Sequence, residues 1–143
     1  YIKDNYKYIF VGDKDYSPFM KVKTIKKNFS IGNTKIETFK HNHGPIDVQT
    51  YRINKFAYST DIKNFYENDI DKLKNLDLWI VGLLRYDPHP SHAGFDQILD
   101  YINYLKPKKT LFTHMTALLD QEDLLSKCPE SVEPAYDGLE ITL

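Results

Sequence analysis

The chain has 143 residues, of which 41% are hydrophobic, and its formal net charge is -1 at pH 7. This length favours a single domain, and the near-neutral charge gives no global indication of binding to nucleic acid or to an acidic membrane. The sequence has neither an apolar run near the roughly 18 residues of a membrane span nor a visible signal peptide, so we expect a cytoplasmic protein.

The first part of the chain predicts strands joined by short turns. Residues 6–11 form an apolar, strand-like run. Gly32-Asn33 and Asn54-Lys55 each separate two apolar segments, because glycine and asparagine accept the positive φ of two-residue turns. The first turn sets Phe29 opposite Ile36. The strands predicted around the two turns cover residues 29–31, 34–39, 48–53 and 56–60.

After Asp61 the predicted elements alternate between helix and strand. A polar surface helix is predicted over 63–75, and the continuous apolar run 78–84 is typical of a strand buried on both faces. Apolar residues at helical spacing predict a helix over 95–105. The remaining elements are a strand at 110–113, a helix at 120–127 capped by Asp120, and a strand at 139–143. Together these patterns predict an α+β domain with a mixed sheet and helices on one face.

All five histidines and one aspartate lie just after predicted strands. They are His41, His43, Asp61, His89, His92 and His114. Strand ends in a sheet of this kind meet along one edge, and neutral imidazole with carboxylate suits zinc or a similar metal. A histidine in a strand-end loop is also commonly an ordinary surface residue. A metal cluster and a set of unrelated histidines therefore both stay open at this point.

Five short segments, taken in order, resemble the second half of the metallo-β-lactamase superfamily, and in particular the branch of the phosphoribosyl cyclic phosphodiesterases. They are His41-Asn42-His43-Gly44, Tyr58-Ser59-Thr60-Asp61, Pro88-His89-Pro90-Ser91-His92, Phe112-Thr113-His114-Met115 and Ala135-Tyr136-Asp137-Gly138. The likeness extends from Tyr6 to Leu143. It implies that the chain forms the C-terminal portion of an αββα sandwich.

The resemblance also implies a binuclear site. Asp61 would bridge two divalent ions, zinc or manganese, with His43 a ligand of one ion and His114 a ligand of the other. His92 would reach the substrate phosphate as a general acid or base, while a metal-bridging hydroxide attacks a phosphodiester. The candidates for supporting or pocket-lining roles are His41, His89, Tyr86 and Asp137. For Asp137, which precedes Gly138, a plain turn is the alternative.

The superfamily's His-x-His-x-Asp-His segment does not occur in this sequence. Two protein ligands per ion fall short of the roughly three that catalytic zinc usually has. We therefore expect a single domain over residues 1–143 that belongs to a longer chain, binds metal weakly and is inactive alone. A second expectation is that one sheet face is exposed, and that a second copy or the preceding N-terminal part covers it. Gly82 stands where several relatives carry an acidic residue.

Three functions remain open from the sequence. The first is metal-dependent hydrolysis of a small-molecule phosphodiester, and the second is lactone or thioester hydrolysis by the same fold. The third is a noncatalytic α/β binding domain in which the histidines are incidental. No membrane or nucleic-acid partner is expected under any of them.

Overall fold

This computed structural model describes residues 1–142. Its strands form one mixed sheet. The strands are β1 (Asn28–Ile31), β2 (Thr34–His43), β3 (Ile46–Ile53), β4 (Phe56–Ser59), β5 (Asn64–Phe65), β6 (Leu78–Gly82), β7 (Lys109–Thr113) and β8 (Val132–Pro134). Their order is β1-β2-β3-β4-β6-β7-β8, with β5 paired to β2. The pairs β4-β6, β6-β7 and β7-β8 are parallel, and the other pairs are antiparallel. The α+β class with a mixed sheet is thereby confirmed.

Two helices precede the strands in the chain, and three lie between strands. They are α1 (Ile2–Asn5), α2 (Lys7–Val11), α3 (Glu67–Ile70), α4 (Phe95–Leu105) and α5 (Gln121–Lys127), with a 3-10 turn at Asp71–Leu73. Among residues 1–142, no helix combines the length and the apolar character that crossing a membrane requires.

Both predicted hairpins are confirmed. Phe29 pairs with Ile36 across the first turn, and Gly32 has the positive φ of 57° that the turn requires. In the second hairpin Ile53 pairs with Phe56, and Asn54 takes the left-handed conformation with φ 53°. The turn residues therefore set the register of the antiparallel half of the sheet.

The parallel half contains the core. Trp79 and Val81 on β6 and Phe112 on β7 have no exposed surface, and they belong to one cluster with Ile98 and Ile102 of α4. The apolar spacing in 95–105 predicted this helix with its observed bounds. The helix ends at a residue in the left-handed conformation, Lys106, which Pro107 follows. The predicted N-cap is also confirmed, because the Asp120 side chain accepts a hydrogen bond from the Asp123 amide at the start of α5.

The prediction of a strand at 6–11 was wrong. Residues Lys7–Val11 form α2 instead, and Tyr8 and Val11 on it are exposed. A short apolar run forms a strand only if a partner strand is within reach. The described part of the chain offers none to this segment.

The predicted helix over 63–75 is divided into three elements. Asn64–Phe65 pairs with β2 as β5, placing Phe65 opposite His41, and helical backbone begins only at Glu67. The predicted strand at 139–143 was also wrong, because residues 139–142 have no strand structure and Leu143 lies outside the described residues. Val132–Pro134 pairs with β7 at the sheet edge instead, an acceptable place for the proline, which has no N–H to donate.

The two faces of the sheet differ in what covers them. The face that carries Trp79 packs against α4. The opposite face has a row of paired residues that crosses four strands, formed by Tyr51, Tyr58, Ile80 and Leu111. Leu139 and Ile141 lie beside the Leu111 end of this row, and Leu111 is buried. Tyr58 remains 40% exposed, so this face is covered at one side only.

Candidate metal centre

The carboxylate of Asp61 lies among three imidazoles at one edge of the sheet. Its Oδ1 atom is 3.2 Å from Nε2 of His114, 3.4 Å from Nε2 of His92 and 4.0 Å from Nε2 of His43. All four side chains remain partly accessible, with exposed fractions between 13% for His92 and 41% for His114. The predicted convergence of these residues is therefore what the structure shows.

Strand ends position these side chains. His43 is the last residue of β2, so the strand extends further than predicted and includes both His41 and His43. Asp61 follows β4 by two residues and His114 follows β7 directly. Asp61 and His114 both have left-handed backbone conformations, with φ 57° and 62°. Left-handed backbone is unfavourable for residues with a Cβ atom and is concentrated at functional sites.

His43 is oriented by the loop that carries His92. Its Nδ1 atom donates a hydrogen bond of 2.8 Å to the carbonyl of Ser91, and its ring meets the His92 ring edge-on at 4.7 Å. Because Nδ1 is used as a donor, the lone pair of His43 is on Nε2, the atom that faces Asp61.

The His92 loop is closed by a small turn. Backbone hydrogen bonds of 2.9 and 3.2 Å join His89 and His92 in both directions. The Ser91 hydroxyl lies 3.0 Å from Nδ1 of both imidazoles. The Ser91 hydroxyl therefore links the His89 and His92 imidazoles. The His89 carbonyl accepts a hydrogen bond of 2.7 Å from Lys63 Nζ. Ser91 is not identifiable as a site residue from the sequence, since a serine beside a proline carries no signal of its own.

Burial and charge set the protonation of the cluster. Partial burial opposes ionisation of Asp61. The nearby imidazoles of His114 and His43, with hydrogen bonds from Thr60 and His92, outweigh it and hold the Asp61 pKa below 3.8. Burial also lowers the pKa of His92 below 6.5. At neutral pH the site therefore offers a carboxylate and a neutral imidazole, the forms that bind metal.

His41 lies beneath the cluster and has no exposed surface. Its Nε2 atom is 2.8 Å from the Thr60 carbonyl, and its Nδ1 atom is 3.0 Å from the Thr50 hydroxyl. Burial lowers the pKa of His41 below 6.5. Both ring nitrogens of His41 are therefore engaged by protein groups.

The other two candidates lie at a distance from these contacts. The Tyr86 hydroxyl donates a hydrogen bond of 2.6 Å to Asp123 on α5, and the Tyr86 ring packs against Phe95. Asp137 is exposed and sits in a turn closed by a hydrogen bond from the Leu139 amide to the Tyr136 carbonyl. Gly138 has φ 86° in that turn.

The donor set fits a divalent metal. The candidate ligand atoms of His43, Asp61 and His92 all lie within 4.8 Å of one another, and His114 approaches the same carboxylate oxygen. Imidazole nitrogen and carboxylate oxygen are the usual ligands of zinc and manganese sites. The geometry is therefore compatible with two roles for His92, that of a metal ligand and that of the catalytic group that the resemblance implied.

The sequence and the fold both match a known superfamily. Residues 1–115 match the family model described as "Beta-lactamase superfamily domain". The chain belongs to this superfamily. A crystal structure described as a new diphosphatase from the PhnP family is 28% identical with a TM-score of 0.85, over 96% of this chain and 52% of that one. The predicted metallo-β-lactamase fold is thereby confirmed.

Two further relatives define the extent of the likeness. The metallo-β-lactamase-fold protein YhfI from Bacillus subtilis is 18% identical with a TM-score of 0.69, over 87% of this chain and 56% of that one. A curated protein named octanoyltransferase, from Porphyromonas gingivalis strain ATCC BAA-308 / W83, is 30% identical over 97% of this chain and 29% of its own length. The superfamily chain thus spans about half of these solved structures and under a third of the curated relative.

Proposed function

We propose that this superfamily chain supplies part of the active site of a metal-dependent phosphodiesterase. The observation that supports the proposal is the convergence of three imidazoles on the Asp61 carboxylate. The solved structure at 28% identity is described as a diphosphatase, which favours a phosphate-containing substrate over a lactone or thioester.

His43, Asp61 and His114 would hold the metal, with Asp61 shared between two ions, zinc or manganese. Bound divalent cations supply Lewis acidity, which activates water near neutral pH and neutralises phosphate charge. The ionised Asp61 is ready for this role because its pKa is lowered.

His92 is the proposed catalytic residue. Its Nδ1 atom is held by the Ser91 hydroxyl, and its Nε2 atom faces the Asp61 carboxylate. The protonated form of His92, an imidazolium, would give its Nε2 proton to the leaving alkoxide, become a neutral imidazole and regain a proton from solvent. The lowered pKa of His92 favours release of that proton.

The remaining ligands would come from another polypeptide segment. We propose that this segment precedes the chain in a longer protein and packs on the exposed sheet face around Tyr58 and Ile80. A denaturing gel run beside a sizing column tests this proposal. A second fragment that travels with the chain supports it, whereas a homodimer of the 143-residue chain contradicts it. The isolated chain should then bind metal weakly and be inactive. A cytoplasmic location is part of the proposal and rests on the sequence alone.

Thioester hydrolysis is the second candidate, favoured by one observation. The curated relative is named octanoyltransferase, a name that describes transfer of an acyl group. The matched segment is 29% of that protein. The acyl transfer in its name can therefore belong to the part of that protein that this chain does not match. Parallel assays of the complete gene product with bis(p-nitrophenyl) phosphate and with an octanoyl thioester separate the two reactions.

Metal analysis of the complete gene product tests the proposal as a whole. We expect about two equivalents of zinc or manganese and turnover of bis(p-nitrophenyl) phosphate. The Asp61→Asn variant should lose both the bound metal and the turnover. Asp100→Asn is the matched control, because Asp100 is an exposed carboxylate on α4. Less than about half an equivalent of metal in the complete protein would favour the noncatalytic binding domain over any two-metal site.

A further inference from the structure

A line of buried polar groups runs from the core to the backbone beside Asp61. The groups are the Trp79 indole, the Ser59 and Thr50 hydroxyls, the His41 imidazole and the Thr60 carbonyl. Successive members are 3.1, 3.1, 3.0 and 2.8 Å apart. The four side chains are all fully buried. Polar groups in such a place are costly unless each is satisfied.

The chemistry of the two ends sets the direction of these hydrogen bonds. The Trp79 indole is only a donor and the Thr60 carbonyl is only an acceptor. A neutral His41, with its proton on Nε2, donates to Thr60 and accepts from the Thr50 hydroxyl at Nδ1. The Ser59 hydroxyl accepts from Trp79 and donates to Thr50. Every proton in the line then has one acceptor, and no charge is buried.

The last bond acts on the peptide group that joins Thr60 to Asp61. The carbonyl of Thr60 and the amide of Asp61 belong to one planar unit. Holding that plane restrains the position of the Asp61 Cα atom, from which the side chain with its carboxylate extends.

The same peptide also lies against Gly82 of β6. A Cβ atom at residue 82 would be 3.2 Å from the Asp61 nitrogen and 3.3 Å from the Thr60 Cα. Glycine therefore lets the peptide approach β6 closely. The Thr60–Asp61 peptide thus contacts both the His41 imidazole and the Gly82 backbone.

We propose that His41 is a positioning residue that sets the Asp61 carboxylate by holding the Thr60–Asp61 peptide, and that the Trp79–Ser59–Thr50 line fixes the His41 tautomer. This inference deepens the proposed function and rests on it, because Asp61 is the shared ligand in that proposal. His41 itself touches neither metal nor substrate.

Metal affinity of the complete gene product tests the inference. His41→Leu keeps the volume and removes both hydrogen bonds, and we expect it to weaken zinc binding about 10- to 100-fold. It should also change the visible spectrum of the cobalt-substituted protein. His41→Gln places an amide nitrogen near the position of Nε2, so it should restore most of the affinity. Thr50→Val removes only the group that fixes the tautomer and should give a smaller loss.

Ile102→Ala is the control for a purely structural effect. Ile102 is a buried residue of α4 in the core, so this variant should lose stability and keep the zinc affinity and the cobalt spectrum. If His41→Leu does not fold, Thr50→Val and His41→Gln provide the comparison.

The outcomes separate the two proposals. Unchanged affinity and an unchanged spectrum in folded His41→Leu, or in Thr50→Val when His41→Leu does not fold, would overturn the positioning role alone. Metal binding without phosphodiester turnover in the unsubstituted protein would overturn the proposed function alone. No metal binding in the unsubstituted protein would overturn both.

Discussion

Asp61 and His114 meet with 3.2 Å between Oδ1 and Nε2, and each reaches the contact from a left-handed backbone, with φ 57° and 62°. The other non-glycine residues with positive φ among residues 1–142 are Asn54, Asn75 and Lys106. Asparagine tolerates this conformation and Lys106 ends α4, so local structure accounts for those three. At Asp61 and His114 the same backbone conformation directs two polar side chains toward one point.

This backbone conformation predicts a difference between two variants that lose the same ligand. His114→Gly and His114→Ala both remove the imidazole, but glycine adopts φ 62° without steric cost. We expect metal-free His114→Gly to be more stable than His114→Ala by about 1 kcal/mol. Urea unfolding in the presence of a chelator measures the difference. Equal stability of the two variants would mean that the backbone is not strained at this position.

The role of His92 can be separated from that of a ligand. If it is the catalytic acid, His92→Gln lowers kcat about 10²- to 10⁴-fold and leaves the metal content unchanged. If it is a ligand, as its distance to Asp61 also allows, the metal content falls with the activity. Metal analysis and steady-state kinetics on the same preparation decide between them. Ser126→Ala, which removes an exposed hydroxyl on α5, serves as the control.

The stability of the metal-free protein should depend on pH. Burial lowers the pKa of His41 and His92 below 6.5, so between pH 7 and 5 the unfolded chain takes up protons that the folded chain does not. The free energy of unfolding should therefore decrease as the pH falls through 6.5. The lowered pKa of Asp61 extends the decrease below pH 3.8.

Urea unfolding at several pH values, with a chelator present, tests this dependence. His41→Gln should flatten the slope between pH 7 and 5, since glutamine does not titrate. A free energy of unfolding that is constant over that range would contradict the buried, neutral state of both imidazoles.

Gly82 and Gly138 should respond differently to the same substitution. Gly82→Ala places a methyl group 3.2 Å from the Asp61 nitrogen, so we expect weaker metal binding as the peptide shifts. Gly138→Ala meets no atom within 4 Å but must adopt φ 86°, so we expect a loss of about 1 kcal/mol in stability and unchanged metal binding. Zinc titration and urea unfolding of both variants measure these two effects. Weaker zinc binding in Gly138→Ala alone would contradict the prediction that residue 82, and not residue 138, affects the metal site.

The close packing at residue 82 also explains a departure noted in the sequence. The resemblance leads us to expect an acidic residue at position 82, where this chain has glycine. In this chain the space beside residue 82 is filled by the Thr60–Asp61 peptide. His41 also holds that peptide, through its hydrogen bond to the Thr60 carbonyl.

Local signals in the sequence were enough for the hairpins and for α4. Turn residues with positive φ set the pairing of Phe29 with Ile36, and apolar spacing marked the bounds of α4. Local signals failed where a partner decided the outcome. Phe65 was predicted in a helix but lies in β5, where it pairs with His41. Val132–Pro134 forms the edge strand because β7 lies beside it.

By itself the sequence determined the kinds of donor at the site, because imidazole and carboxylate chemistry is a property of each residue and its place after a strand. It also determined the family, through the order of five short segments. Only the tertiary structure decided which side chains touch. His41 makes a 2.8 Å hydrogen bond to the Thr60 carbonyl, and Ser91 contacts His43, His89 and His92. These contacts join segments whose distance in space depends on how the whole sheet and its loops pack. No local pattern in the sequence encodes that distance.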